Sequence, residues 1–201
     1  MNIDLNDEQF NAKEGKAIFN KGNAGVVSNV MISVSKKKPE DKENAPDYKL
    51  TFTDETNAST DMGFYTVKGD VTFKTGNVLT KEEQVKKQGT VMKHVIHAIY
   101  GDGYTIPPAT IDTLLDVCMK TIREGLGSGL KFRVFANYGT PDYPKTFIQV
   151  RPWVPFMESM TVAESDTRLI SGKTDNLVRL AQDNVGTSPA AAAANLTDDW
   201  D

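Results

Sequence analysis

The chain is poor in the residues that most often announce chemistry. One cysteine, Cys118, stands among 201 residues. A lone thiol forms no internal disulfide and anchors no multi-thiolate metal site, which agrees with a reducing compartment and leaves packing as its role. Of the two histidines, His94 and His97 share one helix at a spacing that can hold an ion. No Glu, Asp or Cys is arranged near them as in the HExxH pattern, and two ligands alone rarely hold zinc, so no metal and no cofactor is expected. There is also no G-x-S-x-G, no phosphate-binding glycine loop and no Cys/His pair at nucleophile spacing. Asp54 with Glu55, and Asp112 with Asp116, read as surface charge. No catalytic residue is assigned, and the chain is not expected to be an enzyme.

Long hydrophobic runs are missing too. No segment approaches bilayer length, and MNIDLNDEQF is polar and acidic where a secretory signal is basic and then apolar. The expectation is a soluble intracellular protein without membrane contact. Hydrophobic residues still make up 39% of the chain, enough for the core of one substantial domain. The net charge of -4 argues against a nucleic-acid partner only if the charges are evenly spread, and the acidic ends suggest that they are segregated.

The richest stretch is 130–156, LKFRVFANYGTPDYPKTFIQVRPWVPF. Strand side chains alternate between faces, so Leu130, Phe132, Val134, Ala136 and Tyr138 form a core face. Lys131, Arg133, Phe135 and Asn137 form the other. The next strand repeats the division, with Thr146, Ile148 and Val150 inward and Lys145, Phe147, Gln149, Arg151 and Trp153 outward. Pairing through 139–144 collects Lys131, Arg133, Phe135, Lys145, Phe147, Arg151 and Trp153 on one surface. Cations attract phosphates and flat rings stack on unpaired bases, so this mixture fits single-stranded nucleic acid. The same pattern equally fits Phe135, Phe147 and Trp153 lying under another layer with the cations at its margin.

In chain order, 1–20 reads as a short helix or arm, and the β-branched run VVSNVMISVSKKK from Gly25 as the first strand. KKKPEDKENAPD is a solvated loop in which Lys36, Lys37 and Lys38 read as loop charge before phosphate contacts. YKLTFTD is the second strand and places Lys49 opposite Tyr48, Leu50 and Phe52. ETNASTDMG reads as a turn, with GFYTV and VTFK supplying a third strand broken near 68–70. Tyr65 serves equally as a stacking ring or a core tyrosine. Thr80 caps a helix that GDG stops. A second helix begins at Pro107 or Pro108 and ends at GLGSG. A short helix is expected over 176–183.

Three strands, a helical insertion and a closing strand pair follow the order of an OB-fold. The predicted fold is therefore mainly β: a five-stranded OB-fold-like barrel over 1–185, with helices between its third and fourth strands. Residues 186–201 form a linker and acidic C-terminal tail. With the tail Asp198, Asp199, Trp200 and Asp201, and the phrases APDYKLTFTD and FANYGTPDYPKTFIQVRPW, the layout resembles a bacteriophage single-stranded DNA-binding protein. The resemblance implies coating of exposed strands during DNA replication, recombination or repair in the host cytoplasm. It also implies a tail that recruits replication or recombination proteins or competes for the groove. The tail departs from bacterial relatives, carrying penultimate Trp200 where they end in phenylalanine. The alternative is a virion or scaffold interaction module whose aromatic face is a homo-oligomer or partner interface.

Overall fold

In a computed structural model of the chain, residues 17–127, 129–138, 146–148, 150 and 155–169 are described. The sheet grows from β1 (Gly25–Lys36), which is long enough to serve two neighbours. Its second half pairs antiparallel with β2 (Tyr48–Thr53), setting Ile32 against Phe52 and Val34 against Leu50. Its first half pairs with β6, and the register shifts between Val27 and Val30. Asn29 sits in that shift at φ 59, in the left-handed region that Asn tolerates better than most residues. The bulge lets one strand turn from one half of the sheet into the other.

Beyond β2 lies β3 (Ser59–Phe64), joined through a turn organised by Asp54. Its buried carboxylate accepts from the backbone N–H groups of Asn20, Thr56 and Ala58 at 2.7, 2.8 and 3.1 Å and from the Thr56 hydroxyl at 2.6 Å. The Asn20 bond ties in the short 3-10 turn Phe19–Gly22, whose Phe19 enters the core.

The chain then leaves the sheet through a small hairpin, β4 (Val71–Thr72) and β5 (Val78–Leu79). Helix α1 (Lys81–Tyr100) starts in a capping box, Thr80 accepting from the Glu83 N–H while the Glu83 carboxylate accepts from the Thr80 N–H. Helix α2 (Leu114–Gly125) packs against it. The sheet resumes with β6 (Phe132–Asn137), and two short strands follow each other along its free edge, β7 (Phe147–Ile148) and β8 (Met157–Ser159).

The result is a six-stranded antiparallel sheet in the order β3-β2-β1-β6-β7, with β8 also on β6, and not the five-stranded barrel expected. Edges β3 and β7 approach within 8 Å between Cα atoms, but among the described residues no ladder joins them and the sheet stays open. One face carries Val30, Leu50, Phe52, Phe132 and Val134 into the core, met by Met92, Val95 and Ile96 of α1 and Cys118, Met119 and Ile122 of α2. Burial pushes the Cys118 thiol up to about 11, as expected for a packing residue.

Two element assignments are corrected. The third strand is 59–64, lying mostly within the segment read as a turn and sharing only Gly63 and Phe64 with the strand expected there, while Val71 and Thr72 belong to a separate hairpin. Helix α2 begins at Leu114, because two prolines and the mutually bonded Thr110 and Thr113 hydroxyls hold 107–113 outside it. The expected helix over 176–183 and most of the N-terminal arm lie outside the described residues.

Candidate nucleic-acid interface

Strand register decides which side chains share a surface. Ser33 faces Thr51, Ser35 faces Lys49, and Lys49 faces Gly63 across β1, β2 and β3. On the other half Val26 faces Phe135 and Asn137 faces Phe147. Each of these residues alternates with a residue of the core face, so Lys49, Arg133, Phe135 and Phe147 all belong to the outer face of one sheet. The alternation groups Arg133, Phe135 and Phe147, and Lys49 joins them only through the register across β1 and β2.

Half of this face is covered, which corrects the expectation of a continuous exposed surface. Arg133 is 3% exposed and Phe135 4%. The Arg133 Nε lies 3.2 Å from Glu158 Oε1, an ion pair without hydrogen-bond alignment, while its Nη2 donates to the Val162 carbonyl. Glu158 also accepts from the Thr167 hydroxyl at 2.7 Å and the Arg168 N–H at 3.3 Å. A buried cation must be paired, and here β8 and the segment after it supply the partners. Arg133 is thus spent inside the fold, and Phe135 presents no ring to solvent.

The open part of the face runs over β2, β3 and β7. Phe147 is 41% exposed between buried Thr146 and Ile148. Tyr65, just past β3, is 52% exposed. Its backbone is clamped by Gln88, whose side chain accepts from the Tyr65 N–H at 3.2 Å and donates to its carbonyl at 3.0 Å. A Cβ on Gly63 would stand 3.0 Å from Pro46 Cβ and 3.6 Å from Tyr65 Cε2, so the proline and the tyrosine ring close over the glycine, next to Lys49. Sequence reasoning passed over Gly63 and Pro46; a glycine inside a strand is a signal of close approach.

Electrostatically the open face is mixed. Lys49 Nζ lies 3.3 Å from Asp61, which also accepts from the Thr51 hydroxyl at 2.6 Å. Lys131 is exposed and meets no carboxylate among the described residues. In the β1–β2 region, Lys36 lies 5.2 Å from the Tyr48 ring centre and 3.7 Å from Asp116, Lys37 donates to the Glu43 carbonyl, and Lys38 meets Glu40 at 3.9 Å. Lys145, Arg151, Trp153 and the tail residues Asp198, Asp199, Trp200 and Asp201 lie outside the described residues.

A second concavity, of about 640 Å³, opens where α1 meets β8 and is lined by Lys93, His94, His97, Asp102, Glu158 and Arg168 among others. Arg168 meets the two Asp102 oxygens at 2.9 and 3.2 Å, and His97 Nδ1 lies 3.7 Å from Asp102. Among the described residues the His94 Nδ1 is buried without a hydrogen-bond partner, and burial, with His97, Lys93 and Arg168 nearby, holds its pKa below the usual imidazole value. Among the described residues no group of three metal-ligating side chains forms, here or elsewhere. No helix of the described residues is long and apolar enough to cross a membrane.

No protein-family model, curated protein or solved structure matches the chain.

Proposed function

We propose that the chain is a non-enzymatic, sequence-tolerant single-stranded DNA-binding protein, and that its sheet is an open OB-fold-like barrel. The observation that carries the reading is the outer face between β2 and β7. Lys49 and Phe147 share it by register, and the Tyr65 ring closes over Gly63 beside Lys49. Two exposed rings and a cation beside the small polar side chains of Ser33, Ser35 and Thr51 suit bases that are free to stack. Duplex DNA hides those base faces. The strand order supports the fold assignment, since a strand shared by both halves and a helical insertion before the fourth large strand are OB-fold features.

In this reading Tyr65 and Phe147 stack bases, while Lys49 and Lys131 contact phosphates. Lys145, Arg151 and Trp153 extend the surface on sequence grounds alone. The protein would coat exposed strands in replication, recombination or repair of a phage genome. Its acidic tail would recruit partner proteins or compete with DNA.

Titration with labelled oligo(dT) tests the face. Tyr65→Ala and Phe147→Ala should each weaken binding about five- to a hundredfold, the range of one lost stacking contact. Lys49→Ala should lessen the slope of log affinity against log salt by about 0.7. Variants that all bind like the parent would place the interface elsewhere.

One observation favours an interaction module instead. Val26 and Met31, also on the outer face, are each 45% exposed and apolar. Self-association that buries them, together with no affinity for oligonucleotides, would establish that second reading.

A further inference from the structure

The β4–β5 hairpin stands out from the rest of the molecule. Every residue from 68 to 78 is exposed, on both faces of the ribbon. Two-residue strands are marginal alone, so the hairpin needs another source of rigidity. Its turn is closed by Phe73 N–H to the Asn77 carbonyl and Gly76 N–H to the Phe73 carbonyl, each 2.9 Å, with Gly76 at φ 84. Its base is bolted to the start of α1. The Lys81 N–H donates to Asp70 at 2.7 Å, and the Gln84 amide donates to the carbonyls of Gly69 and Leu79 at 3.0 and 3.1 Å.

What this anchored ribbon presents is apolar and cationic. Val71, Phe73 and Val78 are 44%, 50% and 53% exposed. Lys68 and Lys74 flank them, and among the described residues neither is in an ion pair. The only carboxylate in the ribbon, Asp70, is engaged by the Lys81 N–H. Placement connects the ribbon to the face described above. Gln84 holds the hairpin base and Gln88 clamps Tyr65, and residues four apart are neighbours on one side of a helix. Tyr65 and the hairpin are thereby fixed one helical turn apart.

We infer that the hairpin is a stacking finger that extends the single-strand site, with Phe73 receiving a base and Lys68 and Lys74 engaging the flanking phosphates. The inference rests on the proposed single-strand function and adds a second contact zone to it. An aromatic between two exposed cations on a rigid, solvent-projecting ribbon meets the chemistry of an unstacked polynucleotide, and the charge complementarity selects this occupant over an apolar protein groove. A strand running from Phe147 past Tyr65 to Phe73 would cover more nucleotides than the sheet face alone.

The test uses the full chain, oligo(dT) of graded length and a parallel sedimentation measurement. Because Phe73, Lys68 and Lys74 are exposed, their substitution leaves the core untouched, and an unchanged thermal transition verifies this. Phe73→Ala is expected to weaken binding to long oligonucleotides about five- to a hundredfold and to change binding to the shortest ones least. Lys68→Ala with Lys74→Ala is expected to lower the salt slope by about 1.4, two phosphates at about 0.7 each. If these variants bind as the parent does while Tyr65→Ala is weakened, the finger is wrong and the face stands. If the parent binds no oligonucleotide, both are overturned. Loss of self-association in Phe73→Ala with DNA binding intact would make the hairpin a protein contact and overturn the finger.

Discussion

Arg133 shows how a side chain can carry the right face and the wrong role. Period-2 alternation places it correctly, but only tertiary contacts reveal that Glu158 and the Val162 carbonyl enclose it. Removing one partner of a buried pair strands the other charge, so Arg133→Ala should cost about 3 to 5 kcal/mol in urea unfolding. A double Arg133→Met, Glu158→Leu variant should cost much less than the sum of its singles. An Arg133→Ala protein of parental stability but reduced salt slope would return the residue to the proposed DNA interface. Asp61 offers the converse case. It sits 3.3 Å from Lys49 on the open face, where its carboxylate repels a phosphate strand. Asp61→Asn should therefore tighten oligonucleotide binding at low salt, with the gain fading as salt rises. Unchanged affinity at every salt concentration would remove Lys49 from the binding path.

Among the elements, those with strong periodicity or caps were legible. Val85, Val91, Val95 and Ile96 recur at helical spacing behind the Thr80–Glu83 capping box, and α1 follows from them. Tyr48, Leu50 and Phe52 alternate with Lys49 and Thr51, and β2 follows likewise. β3 was hidden because Ser59, Asp61 and Gly63 face outward while only Met62 and Phe64 add large apolar groups inward. The overlapping GFYTV, which shares Gly63 and Phe64 with the edge strand, looked more strand-like than the residues before it. The close approach of α1 and α2 at Gly125 was equally hidden, since it uses the absence of a side chain. A Cβ on Gly125 would come within 2.5 Å of the Tyr100 ring and 2.6 Å of Ile99 Cγ2. Gly125→Ala should then push the helices apart and cost about 1 to 3 kcal/mol in thermal or urea unfolding, despite the helix propensity of alanine. A neutral or stabilising outcome would mean that the half-exposed Tyr100 simply moves aside.

At the scale of the molecule, a mainly β chain with a pair of helices inserted between its strands was legible, and the open edge of its sheet was not, because closure depends on contacts between β3 and β7 that leave no local pattern. The electrostatic balance of the whole chain predicts how it responds to acid. His94 has a folded pKa below 6.5, so the unfolded chain binds more protons under that value and stability falls as pH drops through 6.5. Burial alone would raise Asp54, but its bonds from Thr56, Asn20 and Ala58 outweigh that and leave it below 3.8. Its contribution is present above pH 3.8 and is lost as pH falls through the folded value. Thermal melts across pH should show both losses, with His94→Gln flattening the upper one and Asp54→Asn the lower. A profile with no change between pH 7 and 5 would contradict the His94 assignment. The proposed single-strand binding by the outer sheet face can be measured by fluorescence anisotropy of labelled oligo(dT) against matched duplex at two salt concentrations. Saturable binding to the single strand, a much weaker response to the duplex and affinity that falls with salt are expected. Equal binding to both, or binding to neither, would contradict the proposal.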